Sequence, residues 1–233
     1  MPNLCIIPAR GGSKRIPRKN IRPFLGSPII AYSIRAAQES GLFDEVMVST
    51  DDAEIAQMAL MYGAAVPFAR SAETATDHAT TGAVLTEVLQ TYAQHGHTFE
   101  RACCLYPTAP FVTPDRLREA FGKLETGDFD AVFPVVRYSF PVQRSVIMQG
   151  DRLAWLYPEF AQTRSQDLQP IYHDAGQFYW FNVPRFLETG QLLGANTSGL
   201  EIPELETQDI DTLTDWQLAE LKIRILYQGN ETA

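Results

Sequence analysis

One stretch near the start of the chain organises the rest of it: Leu4-Cys5-Ile6-Ile7-Pro8-Ala9-Arg10-Gly11-Gly12-Ser13-Lys14-Arg15-Ile16-Pro17-Arg18-Lys19-Asn20. Its apolar start has the length of a buried strand, and a Gly-Gly-Ser turn follows. From Arg10 to Arg22 there are six cations and no acidic residue, although the chain carries a formal net charge of −9. Glycines let backbone N–H groups approach a ligand, and the cations supply positive charge. The stretch therefore predicts a polyphosphate-binding loop, with a solvated basic turn as the alternative.

The composition limits the protein classes that need to be considered. With 233 residues, 45% of them apolar and 20% charged, the chain predicts one globular domain over 1–233 with an internal excursion. No apolar run approaches the roughly 18 residues of a membrane span, and the first strand begins too early for a signal peptide, so we expect a cytoplasmic protein. A pI near 4.9 argues against nucleic-acid binding. The three cysteines lie in apolar runs, which predicts buried free thiols.

Beyond the basic loop, continuous apolar runs alternate with segments of helical periodicity. We predict helices at 29–40, 52 to about 62, 82–94 and 113 to about 124, and strands at 46–50, 65–68, 102–106 and 131–136. Ser27 is expected to cap the first of these helices and Gly41 to end it. Such alternation predicts an α/β fold whose mostly parallel sheet is covered on both faces. Ligands of these sheets bind at the carboxyl ends of the strands, where the basic loop lies.

The alternation breaks after Arg137. The segment 138–172 is aromatic, polar and interrupted by prolines, which predicts an excursion of hairpins. The sheet is expected to resume at 177–181, followed by a short helix around 184–188. A final helix is expected to start at a capping box formed by Thr214 and Gln217 and to run to about 227.

Two carboxylates form the second chemical feature. Asp209 and Asp211 are two positions apart on an extended segment, so both face the same side. Paired hard oxygen ligands suit Mg²⁺, which proteins hold through one or two carboxylates together with substrate phosphates. The alternative is a solvated acidic turn before a helix. Asp51 and Asp52 also pair carboxylates, but their position favours capping of a helix.

The segment 164–179 combines a cation, amides and tyrosines, as a site for a carboxylated sugar requires. Aromatic runs are also common in cores and interfaces, so this alternative stays open. The basic loop itself is neither a Walker A motif nor a dinucleotide fingerprint, because it lacks the Gly-Lys-Ser/Thr ending and the Gly-x-Gly-x-x-Gly spacing. None of the four histidines has metal-site spacing, and only His173 is a candidate for the site.

Together these motifs resemble the acylneuraminate cytidylyltransferase family, whose members join a nonulosonic acid to CMP. The resemblance rests on the basic loop, on 49–51, Arg70, 77–81 and 105–110, and on the Asp209-x-Asp211 pair. It implies a Rossmann-like nucleotidyltransferase sheet of the glycosyltransferase-A type with a hairpin dimerisation excursion at about 138–172. It also implies direct attack of the sugar's anomeric hydroxyl on the α-phosphorus of CTP.

The resemblance implies a role for each matching residue. The implied nucleotide-binding residues are Ala9, Arg10, Gly11, Gly12, Ser13, Lys14, Lys19, Asn20, Arg70, Thr80 and Tyr106. The candidates for binding the sugar acid are Arg144, Arg164, Tyr172, His173, Gln177 and Tyr179. Catalysis is assigned to Arg10, Lys19, Asp209 and Asp211, and the two aspartates are assigned to Mg²⁺, with Mn²⁺ as an alternative. We expect Arg15, Arg18 and Arg22 to be solvated neighbours of these groups.

The implied partners are CTP, a nine-carbon sugar acid and a second copy of the chain, without nucleic acid or membrane. Tyr106 stands where sialic-acid enzymes usually have Gln, and Asp174-Ala175-Gly176 where they have Asn-Gly-Ala. The chain looks most like the pseudaminic acid branch, whose products enter glycans such as those of flagellin. N-acetylneuraminic and legionaminic acid are the alternative substrates. Two further alternatives are a nucleotidylyltransferase for another substrate and a non-catalytic nucleotide-binding relative.

Overall fold

The computed structural model describes residues 2–228 of the chain. Its strands are β1 Asn3–Pro8, β2 Pro23–Phe24, β3 Ser27–Pro28, β4 Glu45–Ser49, β5 Arg101–Leu105, β6 Ala131–Arg137, β7 Val146–Gln149, β8 Arg152–Trp155, β9 Tyr172–Asp174, β10 Phe178–Asn182 and β11 Thr197–Glu201. Its helices are α1 Ile29–Ser40, α2 Ala53–Met61, α3 Thr81–Gln94, α4 Pro114–Gly127, α5 Val183–Thr189 and α6 Leu213–Gln228. Across residues 2–228, every helix is too short or too polar to cross a membrane.

Seven strands form the central sheet. Six of them lie in the order β11-β6-β10-β5-β1-β4, and the seventh, β9, pairs with the C-terminal end of β6. The pairs β1–β4, β1–β5 and β6–β11 are parallel. Strand β10 is antiparallel to both of its neighbours, and β9 is antiparallel to β6. The prediction of a mostly parallel α/β sheet is therefore confirmed, with one reversed strand inside it.

Helices cover both faces of this sheet, as the continuous apolar strands predicted. In β1, Cys5 and Ile7 pack with α1, α2 and α4, whereas Leu4 and Ile6 face the opposite side and pack with α3 and α5. Because successive side chains of a strand point to opposite faces, a strand covered on both sides has to be apolar throughout. The three cysteines are buried free thiols within these layers, as expected.

A third apolar cluster joins the basic loop to the end of the chain. It contains Ile16 from the loop, Ile210 from the segment with the two aspartates and Trp216 from α6, all at most 5% exposed. Burial of such side chains stabilises a fold by about 1.5–3 kcal/mol each. The cluster therefore holds the basic loop and the acidic pair against the same part of the core.

Several predicted helix ends agree with the structure. Gly41 follows α1 in the left-handed conformation, with φ of 66°. Asp52 caps α2 by accepting hydrogen bonds from the N–H groups of Glu54 and Ile55. Both ends are determined by the local sequence. Glycine adopts the left-handed conformation without steric strain, and a short carboxylate side chain accepts hydrogen bonds from the free N–H groups at the start of a helix.

Three local predictions are wrong. Ser27 forms no cap and instead pairs in the small β2–β3 hairpin. The final helix is capped by Thr212 and Asp215, whose side chains bond to each other's backbone N–H groups, rather than by Thr214. The segment 65–68 is not a strand, because it makes only one bridge, between Ala65 and Met47. The pairing of Ser27 with Phe24 and the hydrogen bonds between Thr212 and Asp215 take the place of the two predicted caps.

The excursion over 138–172 contains the predicted hairpin, formed by β7 and β8 around a turn at Gly150. Three short 3₁₀ turns at 142–144, 158–160 and 165–167 lie in the remainder. The hairpin leaves large apolar side chains in contact with solvent: Met148 is 68% exposed and Leu153 is 65% exposed.

Candidate active site

The basic loop leaves the carboxyl end of β1 and encloses a cavity of about 190 Å³. The loop is anchored by buried Ile16, and Asn20 donates a hydrogen bond to the carbonyl oxygen of Arg10 over 2.9 Å. The cavity lining comes from the loop and from the end of β5, namely Pro8, Arg10, Ser13, Lys14, Arg15, Ile16, Lys19, Asn20, Tyr106, Pro107 and Thr108. Five of the loop residues predicted to bind nucleotide thus line one cavity together with Tyr106: Arg10, Ser13, Lys14, Lys19 and Asn20.

A second cavity, also of about 190 Å³, adjoins the first. Its lining consists of Pro8, Arg10, Arg70, Thr76, Asp77, Ala79, Thr81, Val84 and Tyr106. Pro8, Arg10 and Tyr106 belong to both cavities, so they form the wall between them. The predicted nucleotide-binding residue Arg70 lies on the opposite side of this wall from Lys19.

The structure brings the basic loop and the acidic pair together. Arg15 forms an ion pair with Asp211 at 2.7 Å, across 196 positions of sequence. The ammonium group of Lys19 donates to the carbonyl oxygen of Ile210 at 2.8 Å and lies 3.8 Å from Oδ1 of Asp211. Two features that are distant in the sequence therefore form one charged site.

The charges of this site perturb one another. Burial raises the pKa of Asp209, the negative charge of Asp211 raises it further, and Lys19 acts in the opposite direction. Burial also lowers the pKa of Lys19, against the attraction of the two aspartates. Placing two carboxylates side by side costs free energy that a nearby cation offsets.

The donor set suits a cation that also binds phosphate. Within residues 2–228, no group of three or more His, Cys, Asp and Glu side chains has the arrangement of a metal site. Asp209 and Asp211 would thus supply two oxygen donors and leave the remaining positions to phosphate oxygens and water. This is the usual arrangement for Mg²⁺, so the residues present fit the ion.

A further carboxylate occupies part of the basic loop. Asp77 accepts hydrogen bonds from both Arg10 and Lys14, and these two contacts hold the pKa of Asp77 below its usual value. An anion that binds to Arg10 and Lys14 has to displace Asp77 from them. The sequence marked 77–81 as a motif, but it did not show that Asp77 reaches the loop.

The expectation that Arg15, Arg18 and Arg22 are merely solvated is wrong. Arg15 pairs with Asp211, as described above, and the guanidinium of Arg22 lies over the ring of Trp216 at 5.5 Å. Arg18 has the left-handed conformation, with φ of 57°, and forms ion pairs with the carboxylates of Asp52 and Glu54. The loop is therefore fixed by ion pairs and a cation–π contact of all three arginines.

Close packing also explains one of the two loop glycines. Gly11 donates its N–H to Oδ1 of Asp51 over 2.9 Å, so this donor points to a side chain of the protein. A β-carbon at Gly11 would lie 2.6 Å from Oδ2 of Asp52, closer than packing allows. By contrast, nothing surrounds the corresponding position of Gly12, where the chain is open to a ligand.

The remaining nucleotide candidates have different surroundings. Arg70 is 9% exposed and donates to the carbonyl oxygen of Thr74 at 2.5 Å. The hydroxyl of Thr80 caps α3, and its neighbour Thr81 lines the second cavity and lies 3.2 Å from the hydroxyl of Tyr106. Ala9 is fully buried beneath the loop. The motif 77–81 included Thr81, but the predicted site residues named only Thr80.

None of the six sugar-binding candidates lines either cavity in the described chain. Arg164 pairs with Asp167 at 2.7 Å, and Arg144 donates to the hydroxyl of Ser165 at 3.3 Å. Both arginines are exposed and belong to the excursion. The aromatic candidates of strand β9 also point elsewhere: Tyr172 donates to Glu201 at 2.9 Å, and His173 packs on Tyr138.

The last two candidates are buried beside the wall residue Tyr106. The ring of Tyr179 packs against Tyr106 with centroids 5.5 Å apart, and its hydroxyl donates to Oδ2 of Asp174 at 2.7 Å. Burial raises the pKa of Tyr179 well above its usual value. Gln177 is 5% exposed, and its amide nitrogen donates to the carbonyl oxygen of Glu206 at 2.6 Å.

Comparison with known sequences identifies the family. Residues 4–174 match the sequence model described as Cytidylyltransferase. The chain belongs to the cytidylyltransferase family. The pseudaminic acid cytidylyltransferase of Campylobacter jejuni serotype O:2 is 41% identical over 99% of this cytidylyltransferase and 98% of the relative.

A second relative agrees with this membership, and a solved structure shares the fold. The CMP-N,N'-diacetyllegionaminic acid synthase of Legionella pneumophila is 35% identical over 93% of the chain and 94% of the relative. The solved structure of a CMP:2-keto-3-deoxy-manno-octonic acid synthetase with CTP superimposes with a TM-score of 0.70 at 18% identity, over 98% of this chain and 100% of that one. The second likeness supports the nucleotidyltransferase fold.

Proposed function

We propose that this cytidylyltransferase converts CTP and pseudaminic acid into CMP-pseudaminic acid and diphosphate. The observation that carries the proposal is the contact between Lys19 of the basic loop and the Asp209–Asp211 segment. It supports the proposal because a triphosphate requires cations and a divalent metal requires carboxylate ligands, and the two kinds of side chain lie together at the carboxyl end of the sheet. The 41% identity over nearly the full chain to the Campylobacter jejuni relative supports the choice of sugar acid.

Arg10 and Lys19, which line the cavities, have different roles in the proposed reaction. Arg10 lies on the shared wall, so after leaving Asp77 its guanidinium reaches phosphate oxygens from either cavity. Lys19 stabilises the negative charge that grows at the α-phosphate as the sugar hydroxyl attacks and diphosphate leaves. Catalysis of this kind depends on positioning and electrostatic stabilisation, without a covalent intermediate on the protein. The three cysteines are buried and take no part.

Asp209 and Asp211 would hold Mg²⁺, or Mn²⁺ in its place. The ion would neutralise phosphate charge and lower the pKa of the attacking hydroxyl. The protein itself keeps the two carboxylates beside Lys19 although they repel each other. A scaffold that had lost turnover would have no need to maintain this arrangement, which argues against the non-catalytic alternative.

The site of the sugar acid remains a prediction. Tyr106 lines both cavities and Tyr179 packs against it, whereas Arg144 and Arg164 are exposed in the excursion and line neither cavity. The proposed role of the two arginines is therefore in the site of a second copy of the chain. The relative that makes the legionaminic acid product is 35% identical, so that sugar is the second candidate. The cytoplasmic location and delivery of the product to flagellin stay predictions as well.

Diphosphate release tests the reaction directly. Wild-type protein with CTP and Mg²⁺ is expected to release diphosphate most rapidly with pseudaminic acid, compared with legionaminic and N-acetylneuraminic acid. Asp211→Asn should reduce turnover by about 100-fold or more, similar to the loss of a group that stabilises the transition state. Asp115→Asn, at an exposed position of α4, is the matched control. Near-normal turnover of the Asp211 variant would refute the assignment.

We further propose that the β7–β8 hairpin forms a homodimer interface. Met148, Leu153 and Trp155 are exposed, and the pairing of Met148 with Leu153 sets all three on one face of the hairpin. A contiguous exposed apolar patch of this kind is typical of an interaction surface. Met148→Glu should convert a dimer into a monomer in light scattering after size exclusion. Leu221→Glu, which changes an equally apolar exposed position on α6, should leave the dimer intact. A monomeric wild-type protein would refute the proposal.

A further inference from the structure

Side chains from three separate parts of the chain hold the segment that carries Asp209 and Asp211. Gln177 donates to the carbonyl oxygen of Glu206 at 2.6 Å. Lys222 of α6 donates to the carbonyl oxygens of Thr207 at 2.7 Å and Glu204 at 3.1 Å. Lys19 donates to that of Ile210 at 2.8 Å. The segment 207–212 has no helix or strand of its own, so these donors act together with the burial of Ile210 to fix where its backbone lies.

Gln177 also links this segment to the wall between the two cavities. Its carbonyl oxygen accepts the N–H of Tyr106 at 2.9 Å, while its side chain holds Glu206. The hydroxyl of Thr207 returns a hydrogen bond to the carbonyl oxygen of Ala175 at 3.0 Å, in a buried position. The turn 175–177 and the aspartate segment are thus bonded in both directions, which fixes the distance between Tyr106 and the acidic pair.

Lys222 lines neither cavity, so a ligand bound in either cavity does not touch it. Partial burial lowers the pKa of its ammonium group, and the carboxylate of Glu204 opposes this change. An ammonium that gives up water for two main-chain carbonyl groups makes stronger hydrogen bonds than a neutral donor. This arrangement suits a lysine that holds backbone in place.

We propose that Gln177 and Lys222 are positioning residues that hold Asp209 and Asp211 in the geometry that binds a divalent cation together with nucleotide. This rests on the proposed function, since it assumes that the aspartates hold the ion. The physical reason is that two carboxylates on an extended segment bind well only when their spacing is fixed before the ion arrives. Groups that orient metal ligands in this way typically contribute 10- to 100-fold to metal affinity or activity.

The test measures binding of Mn²⁺ by electron paramagnetic resonance, with the full-length protein and CTP but without a sugar acid. Lys222→Met keeps the apolar stem and removes the donor, and Gln177→Met does the same for the amide. Each is expected to weaken Mn²⁺ binding by about 10- to 100-fold. Lys222→Arg, which retains donors, should restore most of the affinity.

The chain offers a matched control in Lys123, whose ammonium group donates to the carbonyl oxygen of Gly199 at 2.6 Å, away from the site. Lys123→Met should bind Mn²⁺ as the wild type does. Thermal unfolding reports whether each variant folds. Lys222 is only partly buried, so its variants keep the test informative if Gln177→Met does not fold.

The outcomes separate this inference from the proposed function. Wild-type protein that binds no Mn²⁺ in the presence of CTP would overturn the metal assignment itself. Normal Mn²⁺ binding by Lys222→Met in a wild type that does bind it would overturn only the positioning role. A Gln177 variant with normal Mn²⁺ binding and a raised KM for the sugar acid alone would show instead that Gln177 is a sugar ligand.

Discussion

The contact between Asp52 and Arg18 offers a quantitative test of how the basic loop is held. Asp52 caps α2 through its Oδ1 and accepts hydrogen bonds from Arg18, one of them over 3.0 Å. The hydrogen bond from Arg18 lowers the pKa of Asp52 from 3.8 to about 2; burial opposes this, and the backbone N–H groups of Ile55 and Glu54 contribute. Asp52→Asn retains an oxygen for the cap and removes the charge that Arg18 binds.

The pKa shift of Asp52 gives the size of its contribution to stability and the direction in which that contribution changes with pH. A change from 3.8 to about 2 corresponds to at most about 2.4 kcal/mol. Arg18 is 39% exposed, and screening by water lowers the expected loss for Asp52→Asn to about 1–2 kcal/mol. Folding lowers the pKa of the Asp52 carboxyl group. Its contribution to stability is therefore fully present above the usual carboxyl pKa and is lost as the pH falls through about 2. About half of it remains at about pH 3.

Urea unfolding of wild type and Asp52→Asn at about pH 7 and about pH 3 measures the difference. A double-mutant cycle with Arg18→Gln isolates the pair, and the coupling energy at neutral pH should be about 1 kcal/mol or more. The reasoning is refuted if the variant is as stable as wild type at neutral pH, or if the deficit is the same at both pH values.

Two further predictions concern the neighbouring carboxylate and the core below the site. Asp77→Asn removes a competitor for Arg10 and Lys14, so binding of diphosphate in calorimetry should tighten by about 2- to 5-fold, and less at high salt; weaker binding would show that Asp77 contacts the ligand. Ile210→Ala opens a cavity in the cluster shared with Ile16 and should cost about 2–5 kcal/mol in urea unfolding. A loss below 1 kcal/mol would show that the aspartate segment does not depend on this packing.

The sequence alone determined the features that local physical chemistry controls. Continuous apolar runs are stable only between two layers of helices, and this condition predicted β1, β4, β5 and β6 to within one or two residues. Gly41 ended α1 because a left-handed residue closes a helix there. The density of cations in the basic loop likewise predicted a polyphosphate site, since that charge is a property of the stretch itself.

Only the tertiary structure decided which distant groups meet. Nothing near β10 indicates that it runs antiparallel between β5 and β6, because both directions bury the same apolar residues. The pairing of Arg15 with Asp211 and the hold of Gln177 on Glu206 follow from the way the chain returns to the sheet. Gln177, a sugar-binding candidate in the sequence, donates its amide to the carbonyl oxygen of Glu206, a contact that no local pattern predicts because the two residues are 29 positions apart.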